Sequence, residues 1–160
     1  MRRASPDDRL PVFRMLELYQ HDLVDIWDQD LDAEGCYGYS LDRFWQEPAC
    51  RAFVALADGH YAGFALVDDA VKVGSEGRWM DQFFVVRKYR RAGVGHTLAT
   101  RVFDALPGPW EVGQMPANLA AQSFWRRVIG TYSEGRFTEH VLTSGWWQGV
   151  VQCFTSDARR

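Results

Sequence analysis

The segment from Trp79 to Phe103, WMDQFFVVRKYRRAGVGHTLATRVF, changes periodicity at its middle, and that change narrows the folds open to the chain. Phe83, Phe84, Val85 and Val86 form a run of bulky β-formers too apolar to leave either face in water, so the segment begins as a buried strand. Val94, Leu98, Val102, Phe103 and Leu106 then recur at helical spacing. Between the two lies Arg90-Arg91-Ala92-Gly93-Val94-Gly95, whose glycines permit backbone conformations and close approaches that a Cβ blocks. A strand that enters such a turn and leaves as a helix aims several unpaired backbone N–H groups, and the positive end of the helix dipole, at one point. That point binds anions, phosphate most naturally.

Two common phosphate loops do not fit. The Walker pattern needs Gly-Lys-Ser/Thr, and here the second glycine is followed by His96 and Thr97. The dinucleotide fingerprint needs a third glycine where this chain has Leu98, together with an N-terminal βαβ unit.

Composition narrows the class further. At 160 residues and 18.4 kDa the chain is read as one domain, 1–160, with 47% hydrophobic and 24% charged residues, the balance of a globular protein. The longest apolar run is far short of the ~20 residues a membrane span requires. The N-terminus, MRRASPDDRL, has no apolar stretch behind its arginines, so no signal peptide is visible and a cytoplasmic location is expected. Cys36, Cys50 and Cys153 are odd in number and match no CxxC spacing, which argues against a disulfide framework and against a zinc site. A net charge of −3 gives nucleic acid nothing global to bind. Locally, Arg87, Lys88, Arg90 and Arg91 flank the glycine turn, while Asp22, Asp25, Asp28, Asp30, Asp32 and Glu34 form an acidic run. A basic turn beside an acidic loop suits a polyphosphate donor held next to a cationic acceptor.

In chain order, Met1 to Ala4 reads as a short edge strand. Ser5, Pro6, Asp7 and Asp8 are helix-start signals before an apolar stripe at Val12, Phe13, Leu16 and Tyr19 or Leu23. Val24 to Tyr39 has no period, and Ser40 caps a short helix from Leu41 to Gln46. Arg51 to Ala57 and Tyr61 to Val67 are strands joined by Asp58-Gly59, a hairpin signal, and a third strand runs from Arg78 to Val86. A helix from Val94 to Leu106 separates it from a strand at Trp110 to Met115, which therefore lies parallel to it. A helix opens at Asn118, and two strand candidates close the chain, Gly135 to Leu142 and Trp147 to Thr155.

Arg90-x-x-Gly93-x-Gly95 resembles the pyrophosphate-binding pattern of the GNAT superfamily of acyl-CoA N-acyltransferases, Gln/Arg-x-x-Gly-x-Gly/Ala. Asn118, Ala121, Phe124 and Trp125, followed by Arg126 and Arg127, match in register the family's later Asn-x-x-Ala-x-x-Phe/Leu-Tyr helix. The order β-α-α-β-β-β-α-β-α-β-β also resembles the GNAT fold, an α/β (α+β) architecture with a central mixed sheet flanked by helices. Within the family the chain is most similar to small bacterial predicted acetyltransferases that carry a Phe-Phe-Val strand and a Phe-Trp pair in the late helix.

The resemblance implies acetyl-CoA as co-substrate and no metal. It assigns backbone contacts with the pantetheine arm to Phe84, Val85 and Val86, with the Val85 amide donating to the thioester carbonyl, an oxyanion-type role. The amides of Arg91, Ala92, Gly93, Val94, Gly95 and His96 would cradle the pyrophosphate. Asn118 would bond the pantetheine arm, with Phe124 and Trp125 lining the same site. The expected acceptor is a small-molecule amine, with a protein lysine or N-terminal amine as the alternative, and no nucleic-acid or membrane partner is expected; the resemblance implies a monomer or a homodimer joined through the late strands.

An alkylamine is mostly protonated at neutral pH, so acetylation needs a base. Asp81, expected from alternation to share a strand face with Phe83 and Val85, is the first candidate. Glu111, and Glu139 with His140, are rivals. Trp125 stands where many family members have a tyrosine that protonates the leaving thiolate, and an indole does not usefully give up its proton. Tyr132 is the candidate replacement. Tyr37, Tyr39, Trp45, Trp146 and Trp147, with the acidic run, would form an aromatic, anionic wall for a small cationic amine. The reading from another class is a CoA-binding sensor or interaction module with little catalysis.

Overall fold

The structure, a computed structural model, describes residues 1–157. β1 (Arg2–Arg3) leads into a 3₁₀ turn at Pro6–Asp8, where the Asp8 carboxylate accepts from the Ser5 amide at 2.7 Å. α1 (Arg9–Asp22) follows, with Pro11 in its first turn, where the missing N–H has no intrahelical bond to make. A single turn, α2 (Arg43–Gln46), precedes the meander β2 (Arg51–Ala57), β3 (His60–Asp68) and β4 (Arg78–Val85). Asp58 and Gly59 both have positive φ, 49° and 78°, as a tight hairpin turn requires. The chain then runs through α3 (Val94–Ala105), β5 (Gly108–Gln114), α4 (Leu119–Tyr132), β6 (Phe137–Leu142) and β7 (Gly149–Ser156). The expected element order holds throughout.

One seven-stranded mixed sheet has the order β1-β2-β3-β4-β5-β7-β6, with β4 and β5 as its parallel pair. It separates two apolar layers. Phe53, Ala65, Val67 and Met80 pack on one side with Leu98, Phe103, Trp125 and Ile129 of α3 and α4. Val54, Phe64, Leu66 and Phe84 pack on the other with Val12, Leu16 and Phe44 of α1 and α2.

Two irregularities shape the middle of the sheet. β4 and β5 pair only at Arg78↔Trp110 and Trp79↔Glu111, and β5 continues instead along β7 from Gly108 to Gln114. Beyond Trp79 the two parallel strands therefore part. The second irregularity is a bulge in β4: Leu66 faces Gln82 and Val67 faces Met80, which leaves Asp81 as the extra residue. One extra residue reverses the alternation on one side of it. Asp81 thus projects toward Tyr39 and Arg43, whereas Phe83 packs its ring on Phe124 and Trp125 across the sheet. The expectation that Asp81 shares a face with Phe83 and Val85 is corrected by this bulge.

Candidate active site

Where β4 and β5 part, a cleft of about 1120 Å³ passes through the sheet. Its lining includes Gly93, Gly95 and His96 of the glycine turn, Asn118 and Trp125 of α4, Met80 to Val85 of β4, and Val112 to Gln114 of β5. It continues past Asp81 to Tyr19, Tyr39, Arg43, Lys72, Trp146 and Trp147.

The first half of the cleft is built from backbone. Thr97 N–H donates to the Gly93 carbonyl at 2.9 Å, so the amides of Val94, Gly95 and His96 precede the first α3 bond and have no carbonyl within the helix. Gly93 caps α3 at φ 80°, in the left-handed region, and Arg91 is also positive at 64°. At Gly95 an added Cβ would sit 3.3 Å from the Phe124 ring and 3.5 Å from Val85 Cγ2, so the helix start lies against both strand and α4.

The direction of the β4 amides follows from one bond. Val86 N–H donates to the Ala62 carbonyl at 2.9 Å, which makes Gly63↔Val85 a non-hydrogen-bonded pair of the antiparallel ladder. The polar backbone groups of Val85, and by alternation of Phe83, therefore point away from β3 into the opening. The Val85 carbonyl accepts Arg90 Nε at 2.7 Å, and its N–H is left facing the cleft. Val86 and Phe84 are accordingly corrected as backbone contacts, since both face β3, and Phe83 joins Val85 in their place. Phe84 still lines the cleft, while Val86 does not.

Asn118 accepts the Ala121 amide on Oδ1 at 3.1 Å, capping α4 and turning its Nδ2 donor away from the helix. Gln114 is buried, and its Nε2 donates to the Val112 carbonyl and to Gln152 Oε1, leaving Oε1 without a partner among the described residues. A buried, unsatisfied acceptor in a cleft wall suits a ligand N–H.

The second half is lined by side chains. Arg43 donates to Asp68 at 2.8 Å and to Asp81 at 3.2 Å, and its guanidinium stacks 4.6 Å from the Phe44 ring centroid. Tyr39 donates its hydroxyl to Asp81 at 2.5 Å. Burial pushes the Asp81 carboxyl above its ordinary range, and Asp68 pushes the same way, while Tyr39 and Arg43 draw it back. Burial, then the Asp81 charge, pushes Tyr39 up to about 12, so the phenol stays protonated. Lys72 Nζ lies 4.3 Å from the Trp79 ring centroid and 4.7 Å from that of Trp146, and Trp79 meets Trp147 edge-on at 5.2 Å. These rings fit because Gly113 has no Cβ: one would lie 2.2 Å from Trp79 and 2.7 Å from Trp147.

Of the sequence candidates, Asp81, Val85, Arg91, Gly93, Gly95, His96, Asn118, Phe124 and Trp125 all line this cleft. Ala92 and Val94 belong to the same turn without lining it. Glu111 is corrected: its buried carboxylate accepts the amides of Lys72 at 2.5 Å, Val73 at 3.1 Å and Gly74 at 2.6 Å, anchoring the β3–β4 loop outside the cleft. Tyr132 is corrected likewise. Its hydroxyl bonds Asp104 at 2.7 Å and Ser156 at 2.8 Å, beneath the far end of α3. Glu139 forms a two-pronged pair with Arg126 at 2.7 and 2.8 Å, which holds its carboxyl below the usual range.

The residues expected to form an acceptor wall are divided between the cleft and other contacts. Tyr39, Trp146 and Trp147 line the cleft, but Trp45 bonds the Ser5 carbonyl and Tyr37 pairs with His21. In the acidic run only Asp22 lines the cleft, tied to Arg87 at 3.0 Å and Arg90 at 2.5 Å, and the site's negative charge comes from Asp68 and Asp81. Arg43, Asp68, Lys72, Trp79 and Gln114 were missed because isolated residues on separate elements carry no spacing signal. No group of His, Cys, Asp and Glu among the described residues is arranged to hold a metal ion.

The sequence matches the model of the Acetyltransferase (GNAT) family over residues 12–131. No curated protein matches it. Among solved structures, an acetyltransferase from Thermus thermophilus superposes with a TM-score of 0.69 at 14% identity, covering 96% of this chain and 94% of that one. Ribosomal-protein-alanine N-acetyltransferase from Brucella melitensis gives 0.63 at 17% identity, covering 96% and 98%. An aminoglycoside acetyltransferase from an uncultured soil metagenomic sample gives 0.60 at 18% identity, covering 91% and 93%. At these identities the likeness speaks for the fold alone; the family match, over most of the chain, shows that this chain belongs to the GNAT acetyltransferase family.

Proposed function

We propose that this protein is a single-domain, cytoplasmic N-acetyltransferase that moves the acetyl group of acetyl-CoA to a small cationic primary amine by direct attack in a ternary complex. The observation that carries this reading is the continuity of one cleft, from the open N–H groups of α3, through the gap between β4 and β5, to the carboxylates and indoles beyond Asp81.

The residues present fit the donor. The amides of Val94, Gly95 and His96 suit the pyrophosphate, and the strand-like backbone of Phe83 and Val85 suits an amide-bearing arm. Gln114 Oε1 and Asn118 Nδ2 offer an acceptor and a donor along the same path. The Val85 N–H, facing the opening with no neighbouring strand, suits the oxygen on which charge develops.

On the acceptor side, Asp68 and Asp81 attract an ammonium and the indoles desolvate it. Asp81 then takes a proton, and its raised carboxyl is closer to matching that task than an exposed one. The freed amine attacks the carbonyl carbon, the new C–N bond forms, the C–S bond breaks, and the thiolate takes up a proton. A thiol of pKa ~8.5 is a good enough leaving group to depart without a dedicated acid.

The second reading, a CoA-binding sensor or interaction module, is favoured by one observation: Trp125 replaces the tyrosine, and Tyr132 is bonded elsewhere. Melting curves with acetyl-CoA, CoA and ATP, followed by thiol release over a panel of alkylamines, separate the two. A ligand at about a hundred times its Kd adds roughly 2.7 kcal/mol. A shift with the CoA species together with amine-dependent thiol release supports the enzyme. A shift without release supports the module, and no shift removes the donor from both.

A further inference from the structure

The acceptor half of the cleft already contains an amine. Lys72 leaves the β3–β4 loop with its amide held by Glu111, and its Nζ donates to the Ala70 carbonyl and sits against Trp79 and Trp146, in a wall of the cavity that Asp81 and Val85 also line. Two cations balance the two carboxylates of this cluster: Arg43 pairs with Asp68 and Asp81, and Lys72 feels the charge of both. The chain has sixteen arginines and two lysines, so the one lysine among the residues lining the cleft stands out against a sequence that otherwise carries its positive charge on arginine. The other lysine, Lys88, is exposed beside the Tyr89 ring on the turn after β4.

We propose that Lys72 is an internal acyl acceptor: with acetyl-CoA bound and no amine in the cleft, the chain acetylates its own Lys72. This rests on the donor reading given above. The geometry supplies features an acceptor needs, namely a tethered backbone, a four-carbon arm whose ammonium rests on the Trp79 and Trp146 indoles and the Ala70 carbonyl, and a carboxylate lining the same cavity. Desolvation also draws the Lys72 ammonium below its ordinary pKa, against the pull of Asp68, Asp81 and Glu111, which enlarges its neutral fraction. In the step, Lys72 Nζ gives a proton to Asp81 and attacks the thioester carbonyl. The N–C bond forms as the C–S bond breaks, and CoA leaves as a thiolate that is then protonated. The product is a neutral amide, and the cleft is left with one negative charge in excess.

The test uses the full chain, acetyl-CoA and no amine, with intact mass and peptide mapping over time. The expected result is up to one acetyl group per chain, on Lys72, at a rate independent of protein concentration. Heat-denatured chain should lack this modification, Asp81→Asn should slow it more than tenfold, and n-butylamine should suppress it. Lys72→Arg should abolish it, whereas Lys88→Arg should not. Acetyl groups found only on Lys88 or the N-terminus, a rate that rises with protein concentration, or no modification overturns the proposal. Parallel thiol release with n-butylamine shows which claim has failed. If butylamine is acetylated and Lys72 is not, the internal acceptor alone falls; if neither is, the transferase reading falls with it.

Discussion

Arg90 Nη2 meets Asp22 Oδ2 at 2.5 Å while the same guanidinium donates from Nε to the Val85 carbonyl at 2.7 Å. One side chain thus ties the end of α1 to the strand residue whose amide faces the cleft. Both partners are partly exposed, so the ion pair itself contributes at most ~1 kcal/mol. Arg90→Ala should therefore leave the fold intact and raise KM for acetyl-CoA by about fivefold, with a smaller change in kcat. Steady-state kinetics and a melting curve check this; an unchanged KM would detach the clasp from donor binding.

Asp81 is held in a setting that opposes its charge, first by burial and then by Asp68. A carboxyl whose folded pKa is raised contributes stability at pH below its unfolded value, and that contribution is lost as pH rises through the folded pKa. Asp81→Asn should accordingly leave Tm at neutral pH unchanged or higher, while kcat falls by about a hundredfold or more. In the unmutated enzyme kcat/KM should rise with pH along a limb centred above the ordinary carboxylate value of about 3.9, and the variant should lose that limb. A pH–rate series on both proteins decides it, and a limb retained in the variant would assign the proton to another group.

Trp125 packs edge-on to Phe83 at 4.7 Å and to Phe124 at 5.0 Å, and is buried. Its contribution is shape, because the indole N–H does not serve as an acid. Trp125→Phe should keep turnover within about tenfold of the original, with some loss of Tm from the smaller ring. A fall of several hundredfold with CoA binding intact would give the indole a part in the chemistry.

Gly113 gives Trp79 and Trp147 their places, with an added Cβ only 2.2 Å from Trp79. Gly113→Ala must displace rings or strand, at about 1–3 kcal/mol. The damage should fall on the acceptor side: KM for the amine should rise while the Tm increment given by acetyl-CoA persists. Loss of that increment with the amine KM unchanged would show that the rings serve the donor instead.

The element order and the glycine turn between β4 and α3 were legible in the sequence for physical reasons. Buried strands, helical spacing and Arg90-x-x-Gly93-x-Gly95 are local patterns, and local patterns survive in a linear string. The bulge at Asp81 was not legible, since nothing in Met80-Asp81-Gln82 distinguishes an inserted residue from an alternating one. Register with β3 decides it, and with it the side of the sheet that Asp81 serves. Glu111 and Tyr132 misled for a related reason: an acid on a strand and a phenol on a late helix have the right chemistry, and only the fold reveals that three loop amides and Asp104 have engaged them. Beyond Asp81, Tyr39, Trp146 and Trp147 the far end of the cleft was only partly visible, because Arg43, Asp68, Lys72 and Trp79 join them only in three dimensions.

With only two rungs between β4 and β5, the molecule is mechanically two sheets, β1 to β4 and β5 with β7 and β6, latched at Trp79 and Glu111. A pantetheine arm carries its own amides at roughly peptide spacing, so a bound donor would act as a short surrogate strand, spanning the open seam and joining the two halves. Catalysis and stiffness would then have a common origin: release of CoA would unzip the seam that its binding closed, and amide exchange at Phe83 and Val85 would record each turnover state as a change in protection.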